Sequence, residues 1–246
     1  MHRQNNSTNY FWKNDMKFDS YTLYARLFPG IVTSIPFFVL YFYYLNKYFS
    51  EFFNLIFGVK WVGDASTGIV FLFLLAFMGR SIAKDLFEGH WFKRDETRMP
   101  TTEFMLHLNN EYSDEFKDQL REKIRADFRI ELLASEAEVN DEQKARKTIA
   151  EAITLIRNRL KDGRLLLSRN IEYGFIRNVI GCSVIAVLIS IIDIIIFVFV
   201  DPNKVALVAS ISMSALYILP IVFSKKLFNN HGKRYARALF QEYMGS

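Results

Sequence analysis

One apolar run limits the possible folds of this chain more than any other feature. Residues 178–200 read NVIGCSVIAVLISIIDIIIFVFV, a stretch of 23 residues in which Asp193 is the one charged side chain. With a rise of about 1.5 Å per residue, an α-helix of this length is roughly 34 Å long and can cross a hydrocarbon core of about 30 Å. The sequence therefore predicts an integral membrane protein.

Polar and small residues of this run lie on one face of the predicted helix. Ser183, Ala186, Ser190 and Asp193 recur at spacings of 3, 4 and 3 residues, which places them on the same side. A carboxylate in the hydrocarbon core costs about 2.5–3.5 kcal/mol on insertion scales, so Asp193 should face other helices or water. We expect an intramembrane polar seam, in which Asp193 is either a hydrogen-bonded packing residue or part of a pathway.

Three further segments are candidates to cross the membrane, at residues 27–48, 61–83 and 205–224. Pro36 predicts a kink in the first of them. The backbone carbonyl that a proline deprives of its usual donor must then find another partner. The second segment is long enough only if Arg80 extends its charged end toward the interface.

The last two segments form a predicted antiparallel hairpin, because residues 201–204 (Asp-Pro-Asn-Lys) make a tight turn. In the final segment, Ala206, Ser210 and Ser214 recur every four residues, a pattern that permits close contact between helices. Ser210 and Ser214 are therefore candidates to meet Asp193 and to extend the polar seam.

The predicted fold is all-α: a polytopic membrane protein with four transmembrane helices in two hairpins and a cytoplasmic helical insert between helices two and three. In the insert, we expect helices from Ser113 to Phe128 and from Asn140, with Gln143 completing a capping box, to Gly163. The predicted regions are a tail with an interfacial helix at 1–26, hairpin one at 27–88, the insert at 89–176, hairpin two at 177–224 and a basic amphipathic tail at 225–246.

The distribution of basic residues predicts the orientation. Of the 31 Lys and Arg residues, all but three lie in the two terminal segments and in the region 80–177; the exceptions are Lys47, Lys60 and Lys204. Basic residues accumulate on the cytoplasmic side, so both termini and the insert should be cytoplasmic. Three placements stay open for the basic C-terminal tail: on anionic lipids of the inner leaflet, against the insert, or in solvent as the end of helix four.

Charge and motifs also exclude several functions. Residues 80–177 carry 19 basic and 19 acidic side chains, whereas a polynucleotide surface needs uncompensated basic charge. The chain shows no glycine-rich phosphate loop, nucleophile elbow or paired-carboxylate motif, and its four histidines are scattered. We therefore predict no direct nucleic-acid binding, no catalytic residue, no cofactor and no metal site; the protein is not expected to be an enzyme.

Two motifs flank the insert, PTT at 100–102 and NIEYGFIRN at 170–178. Together with LFEGHWF and PTTEFML, they resemble motifs in a family of uncharacterised bacterial inner-membrane proteins, over residues 19–180. The resemblance implies a multi-pass protein of the bacterial inner membrane and no particular activity. It marks the two junctions between membrane and insert as coupling sites, at Pro100, Thr101, Thr102, Asn170, Tyr173, Gly174, Arg177 and Asn178. Arg177 also suits a headgroup phosphate or a partner carboxylate.

These features favour a non-enzymatic sensor or effector. The insert would bind a small molecule or a soluble protein and would gate or assemble the membrane helices, in a channel-like or membrane-perturbing homo-oligomer. Small membrane proteins of this layout are common in bacterial antiviral defence. The alternative is a membrane anchor or scaffold for a soluble partner, and a transporter or a membrane enzyme is the third hypothesis.

Overall fold

A computed structural model describes residues 21–48, 60–91, 96–161 and 163–246. Residues 1–20 of the predicted tail and interfacial helix (1–26) and the connection at 49–59 lie outside the described residues. Every regular element in the described ranges is helical, which confirms the all-α class. The helices are α1 Thr22–Thr33, α2 Ile35–Tyr48, α3 Lys60–Ile82, α4 Pro100–Glu103, α5 Asp114–Phe128, α6 Ser135–Asn140, α7 Glu142–Arg159, α8 Arg164–Val200, α9 Lys204–Val222 and α10 Ser224–Met244. Beyond Ile82, α3 continues as wider π-helical turns at Ala83–Glu88.

The longest helix, α8, is the axis of the fold. Its 37 residues extend over roughly 55 Å at about 1.5 Å per residue. Its first turns belong to the soluble core through the buried Leu166, and its later turns pack against α1, α2, α3 and α9. The buried residues on these later turns include small or polar side chains, which let neighbouring backbones come close: Gly181, Cys182, Ser183, Ala186 and Ser190.

Two or three of the four predicted membrane spans are evident among the described residues. Among the described residues, α8 and α9 are long and apolar enough, and α1 with α2 adds a third if this bent pair is one span. The predicted segment 61–83 falls in α3, where the side chains of residues 60–67 lie outside the description. Its uninterrupted apolar part, 68–79, is shorter than a bilayer core requires. The fold is that of a helical membrane protein with two or three evident spans.

The kink predicted in the first segment lies at Ser34, where α1 and α2 meet at about 40°. In a regular helix, residue 36 would donate its N–H to the carbonyl of Val32, but Pro36 has no N–H. The hydroxyl of Tyr217 in α9 donates to this carbonyl instead, with an oxygen–oxygen distance of 2.5 Å. The donor that the proline kink requires therefore comes from another helix.

The core of the insert combines the apolar faces of α5 and α7 with residues from two other helices. Leu166 comes from the start of α8, and Leu239, Phe240 and Tyr243 come from α10. All four side chains are buried. Of the three placements left open for the C-terminal tail, the structure shows packing against the insert.

One helix start agrees with the prediction and one differs. The Ser113 hydroxyl caps α5 by accepting the Phe116 N–H at 3.3 Å. The predicted capping box at Asn140 and Gln143 is wrong, because Asn140 ends the short helix α6. Asp141 caps α7 instead and accepts the Lys144 N–H at 3.0 Å, since its carboxylate fits the cap position one residue later.

Ionic contacts add to the attachment of α10. Glu111, which precedes α5, pairs with Lys233 and with Arg237, the latter at 2.9 Å. Hydrogen bonds from these two cations lower the pKa of the Glu111 carboxyl. The Tyr243 hydroxyl likewise donates to Asp127 of α5 at 2.9 Å. Two carboxylates of the insert are therefore held by groups from the C-terminal helix.

Candidate functional site

A cavity of about 550 Å³ lies where the end of α3, the start of α4, and helices α7, α8 and α10 meet. We call it the junction cavity. Five of the eight predicted junction residues line it: Pro100, Thr101, Asn170, Tyr173 and Arg177. The other lining residues are Lys84, Asp85, Glu88, Gly89, Met99, Arg157, Gly232 and Tyr235.

Local backbone structure brings these residues together. The last turns of α3, at Ala83–Glu88, present Lys84, Asp85 and Glu88 to the cavity. Pro100 opens α4, where a proline fits because its missing N–H would have no partner. Gly232 of α10 allows close approach, since a Cβ there would lie 3.0 Å from Pro100 Cγ.

Glu88 is the point at which α8 binds the end of α3. The Tyr173 hydroxyl donates to Glu88 Oε1 at 2.8 Å, and Arg177 Nη1 lies 3.5 Å from Glu88 Oε2. The Arg177 guanidinium also sits over the Tyr173 ring, 5.9 Å from its centroid. Of the two partners expected for Arg177, a phosphate or a carboxylate, the described residues supply the carboxylate.

Three of the predicted junction residues do not line the cavity. Thr102 is buried in α4. Gly174 faces α1, where a Cβ would lie 3.0 Å from the Cβ of Ala25. Asn178 is fully buried beside the same helix, and its Nδ2 donates to the Ala25 carbonyl at 2.5 Å. The second motif therefore has two faces, one toward the cavity and one toward α1.

The structure brings together part of the predicted polar seam. Asp193 is fully buried, and its Oδ2 lies 3.4 Å from the Ser210 hydroxyl of α9. Ser210 also donates to the Ala206 carbonyl at 2.8 Å, so one hydroxyl proton serves two acceptors. Asp193 Oδ1 has no hydrogen-bond partner within the described residues. The predicted contact with Ser210 is present.

The remaining seam residues do not reach Asp193. Ser190 is buried and donates to the Ala186 carbonyl of its own helix at 2.9 Å. Ser183 is fully buried, and its hydroxyl has no partner in the described parts of the chain. Ser214 is half-buried and makes no described hydrogen bond. The seam therefore contains polar atoms that the fold encloses without fully pairing them.

A close crossing of α3 and α8 lies between the cavity and the seam, and the sequence reasoning missed it. A methyl group on Gly181 would overlap the carbonyl oxygen of Gly79, and it would lie 2.8 Å from the backbone nitrogen of Ala83. The spacing of Gly79 and Ala83 is a small-xxx-small signal that could have predicted the contact.

Arg157 of α7 is a further feature of the site that the sequence did not indicate. Its guanidinium lies 5.6 Å from the centroid of the Tyr235 ring, and Nη2 is 3.5 Å from Thr101 Oγ1. Burial raises the pKa of the Tyr235 hydroxyl, and the charge of Arg157 opposes this effect. Only the tertiary fold places Arg157 in the cavity, so no spacing along the chain could have predicted its position.

Comparisons with known protein families, with curated proteins and with solved structures find no match. Within the described ranges, no group of three or more His, Cys, Asp or Glu side chains could hold a metal ion. The fold and the site define a helical membrane protein with a polar cavity at the base of its candidate spans, and its function must be argued from these features.

Proposed function

We propose that this chain is a multi-pass protein of the bacterial inner membrane that acts as a sensor or effector without catalytic chemistry of its own. The observation that carries the proposal is the continuity of α8. This helix starts in the insert core at Leu166, contributes Tyr173 and Arg177 to the junction cavity and reaches Asp193 in the polar seam. A displacement at the cavity is therefore transmitted along one helix to the seam.

The proposed topology has four spans, with both termini and the insert in the cytoplasm. For α3 as the additional span, the support is its outer surface, where large apolar side chains of Val70, Phe73 and Phe77 are 68%, 55% and 73% exposed. Such a surface suits lipid better than water. Lys47, at the end of α2, pairs with Asp201 in the α8–α9 turn at 2.5 Å, which supports placing both connections on one side.

Cysteine labelling tests this topology. Cys182 is the only cysteine and is fully buried, so Cys182→Ala gives a background for new single cysteines. With a membrane-impermeant maleimide on intact spheroplasts, Lys204→Cys should be labelled, and Lys147→Cys should be labelled only after lysis. Both positions are exposed in the structure. The reverse pattern would contradict the proposed orientation.

The proposed action is a change in the packing of the spans that opens or perturbs the bilayer, in a homo-oligomer and with antiviral defence as a candidate setting. Asp193 is completely enclosed in a single copy, so a pathway along the seam requires α8 and α9 to rearrange. Asp193 Oδ1 and the Ser183 hydroxyl have no hydrogen-bond partner among the described residues, which supports such a second arrangement. The resemblance of the flanking motifs to bacterial inner-membrane proteins supports the location.

Ion flux from liposomes tests the action. Three variants are compared with the wild type: Asp193→Asn removes the seam charge, Tyr173→Phe removes the hydrogen bond to Glu88, and Ser212→Ala is the control. Ser212 is exposed on α9, and its hydrogen bond in the described part of the chain is to the Val208 carbonyl of its own helix. Asp193→Asn and Tyr173→Phe should change the flux, and the control should not. Wild-type flux no greater than that of protein-free liposomes would contradict the proposal and favour the scaffold alternative.

A further inference from the structure

We propose that the junction cavity binds a phosphate ester and that Arg157 is its principal anion-binding residue. The inference rests on the proposed function, because it assigns a ligand class to the junction that would receive the signal. The source of the phosphate ester is either a phospholipid headgroup at the membrane surface or a soluble molecule, and both present the same chemistry to the cavity.

The charges of the cavity favour an anion. Its lining has three basic side chains, Lys84, Arg157 and Arg177, and two acidic ones, Asp85 and Glu88. Glu88 is occupied by Arg177 and by the Tyr173 hydroxyl. Within the described residues, neither Arg157 nor Lys84 has a carboxylate within 4.0 Å, so Asp85 is the one lining acid left to face two cations.

The geometry of Arg157 fits an oxyanion. A guanidinium has five N–H donors in a planar fork that matches two oxygens of a phosphate. Among the described residues, Arg157 reaches Thr101 Oγ1 at the long distance of 3.5 Å and interacts with the Tyr235 hydroxyl, and its buried Nε has no partner. The Tyr235 ring lies against the guanidinium and helps to fix its plane. A half-buried, oriented guanidinium without a carboxylate partner among the described residues is stabilised when an anion completes its hydrogen bonds.

The size of the cavity requires more than an inorganic ion. Its volume of about 550 Å³ falls within the range of roughly 300–1,000 Å³ that is typical of small-molecule sites. Asn170 lines the cavity, and its amide makes no hydrogen bond to the described residues. It can bind a hydroxyl or ester oxygen of the organic part. Phosphate at Arg157 and a polar organic group at Asn170 together define the ligand class.

Two binding measurements separate the two sources. In the soluble arm, the full chain in phosphatidylcholine nanodiscs is titrated with sn-glycerol 3-phosphate by calorimetry, with glycerol as the uncharged control. In the lipid arm, the chain is reconstituted in equal parts of phosphatidylcholine and phosphatidate, and the phosphatidate retained after extraction is counted by native mass spectrometry. Each arm compares the wild type with Arg157→Gln, Arg157→Lys and the control Arg125→Gln, which alters an exposed arginine of α5.

Arg157→Gln should weaken binding by about tenfold to hundredfold in the arm that reports the true source, because charge-assisted hydrogen bonds are lost. Arg157→Lys should lose less, and Arg125→Gln should bind like the wild type. If Arg157→Gln does not fold, Lys84→Gln takes its place, since Lys84 is exposed and its loss should also weaken binding. Binding in neither arm, or binding insensitive to both residues, overturns the site.

The site and the proposed function fail separately. Arg157-dependent binding without any liposome flux overturns the effector function and keeps the phosphate site. If flux depends on Asp193 but binding is the same in the Arg157 and Lys84 variants as in the wild type, the proposed phosphate site is wrong and the proposed function stands.

Discussion

Asn178 of α8 donates a hydrogen bond to the carbonyl oxygen of Ala25 in α1, over 2.5 Å. The residue four positions after Ala25 is Pro29, which has no N–H to offer this carbonyl. In the same way, the Tyr217 hydroxyl donates to the carbonyl oxygen of Val32, and the residue four positions after Val32 is Pro36. The two prolines of the first segment therefore coincide with two side-chain hydrogen bonds from α8 and α9, and these bonds join the two halves of the membrane region.

Asn178→Leu should destabilise the protein, because it removes the donor to Ala25 while keeping a side chain of similar size. Interhelical hydrogen bonds in membrane proteins contribute about 0.6 kcal/mol on average and about 1.7 kcal/mol at most. Unfolding in detergent titrated with dodecyl sulfate measures the loss. Asn158→Leu, at an exposed position of α7, is the matched control; equal effects of the two substitutions would refute a specific role for Asn178.

Tyr217→Phe should cost less stability in a Pro36→Ala background than in the wild type. The alanine restores a backbone N–H that can donate to the Val32 carbonyl, so the Tyr217 hydroxyl is no longer its main donor. A double-mutant cycle of unfolding free energies gives the coupling directly. Additive effects would show that Pro36 and the Tyr217 hydroxyl act independently.

Gly181→Ala should disturb the contact of α3 with α8. The added methyl overlaps the Gly79 carbonyl, and overpacking of this kind costs about 1–3 kcal/mol. Gly68→Ala is the control on α3, because its new Cβ would lie 3.5 Å from the Phe38 ring, an ordinary contact. Thermal unfolding in detergent compares the two. A wild-type melting temperature for Gly181→Ala would mean that the helices separate at little cost.

Glu111→Gln should reduce the stability of the insert at neutral pH and have less effect in acid. Lys233 and Arg237 lower the folded-state pKa of Glu111 below the unfolded value of about 4.3. The stabilisation is therefore fully present above about pH 4.3 and is lost as the pH falls through the lower folded-state pKa. Melting curves between neutral and acidic pH should converge for the wild type and the variant.

The control for this prediction is Glu136→Gln, which alters an exposed carboxylate without an ion pair in the described part of the chain. Its melting curves should run parallel to those of the wild type at every pH. A constant gap between Glu111→Gln and the wild type down to strong acid would show that the Glu111 charge is not responsible.

Periodic features of the sequence predicted local structure well. The apolar run at 178–200 and the helix start at Ser113 could be predicted, because a membrane helix needs a long apolar run and a helix cap depends on adjacent residues. The boundary at Asn140 failed because Asp141 is an equally good cap, and local sequence does not rank two adjacent candidates. Two or three of the four predicted spans are evident among the described residues, and a span in α3 stays a prediction because its uninterrupted apolar part is short.

Contacts between helices were predictable only where one residue clearly required a hydrogen-bond partner. Asp193 needed a polar neighbour, and Ser210 on the adjoining helix was the natural partner. Pro36 required a donor, but nothing in the sequence identified Tyr217 as that donor. Arg157 lies 56 residues from Thr101 along the chain, and their approach depends on how α4 and α7 pack. Motif residues pointed to the cavity, whereas its charge balance depends on the fold.

The placement of Tyr243 in the insert core has a consequence for biosynthesis. Tyr243 follows the end of α7 at Arg159 by 84 residues, a delay of about 4–17 s at typical rates of translation. The insert core therefore remains incomplete until the α8–α9 hairpin has been synthesised. If only one of α8 and α9 crossed the membrane, α10 would lie on the opposite side of the membrane from the insert. Completion of the soluble core thus reports correct membrane insertion, and misinserted chains expose the uncovered faces of α5 and α7 to cellular proteases.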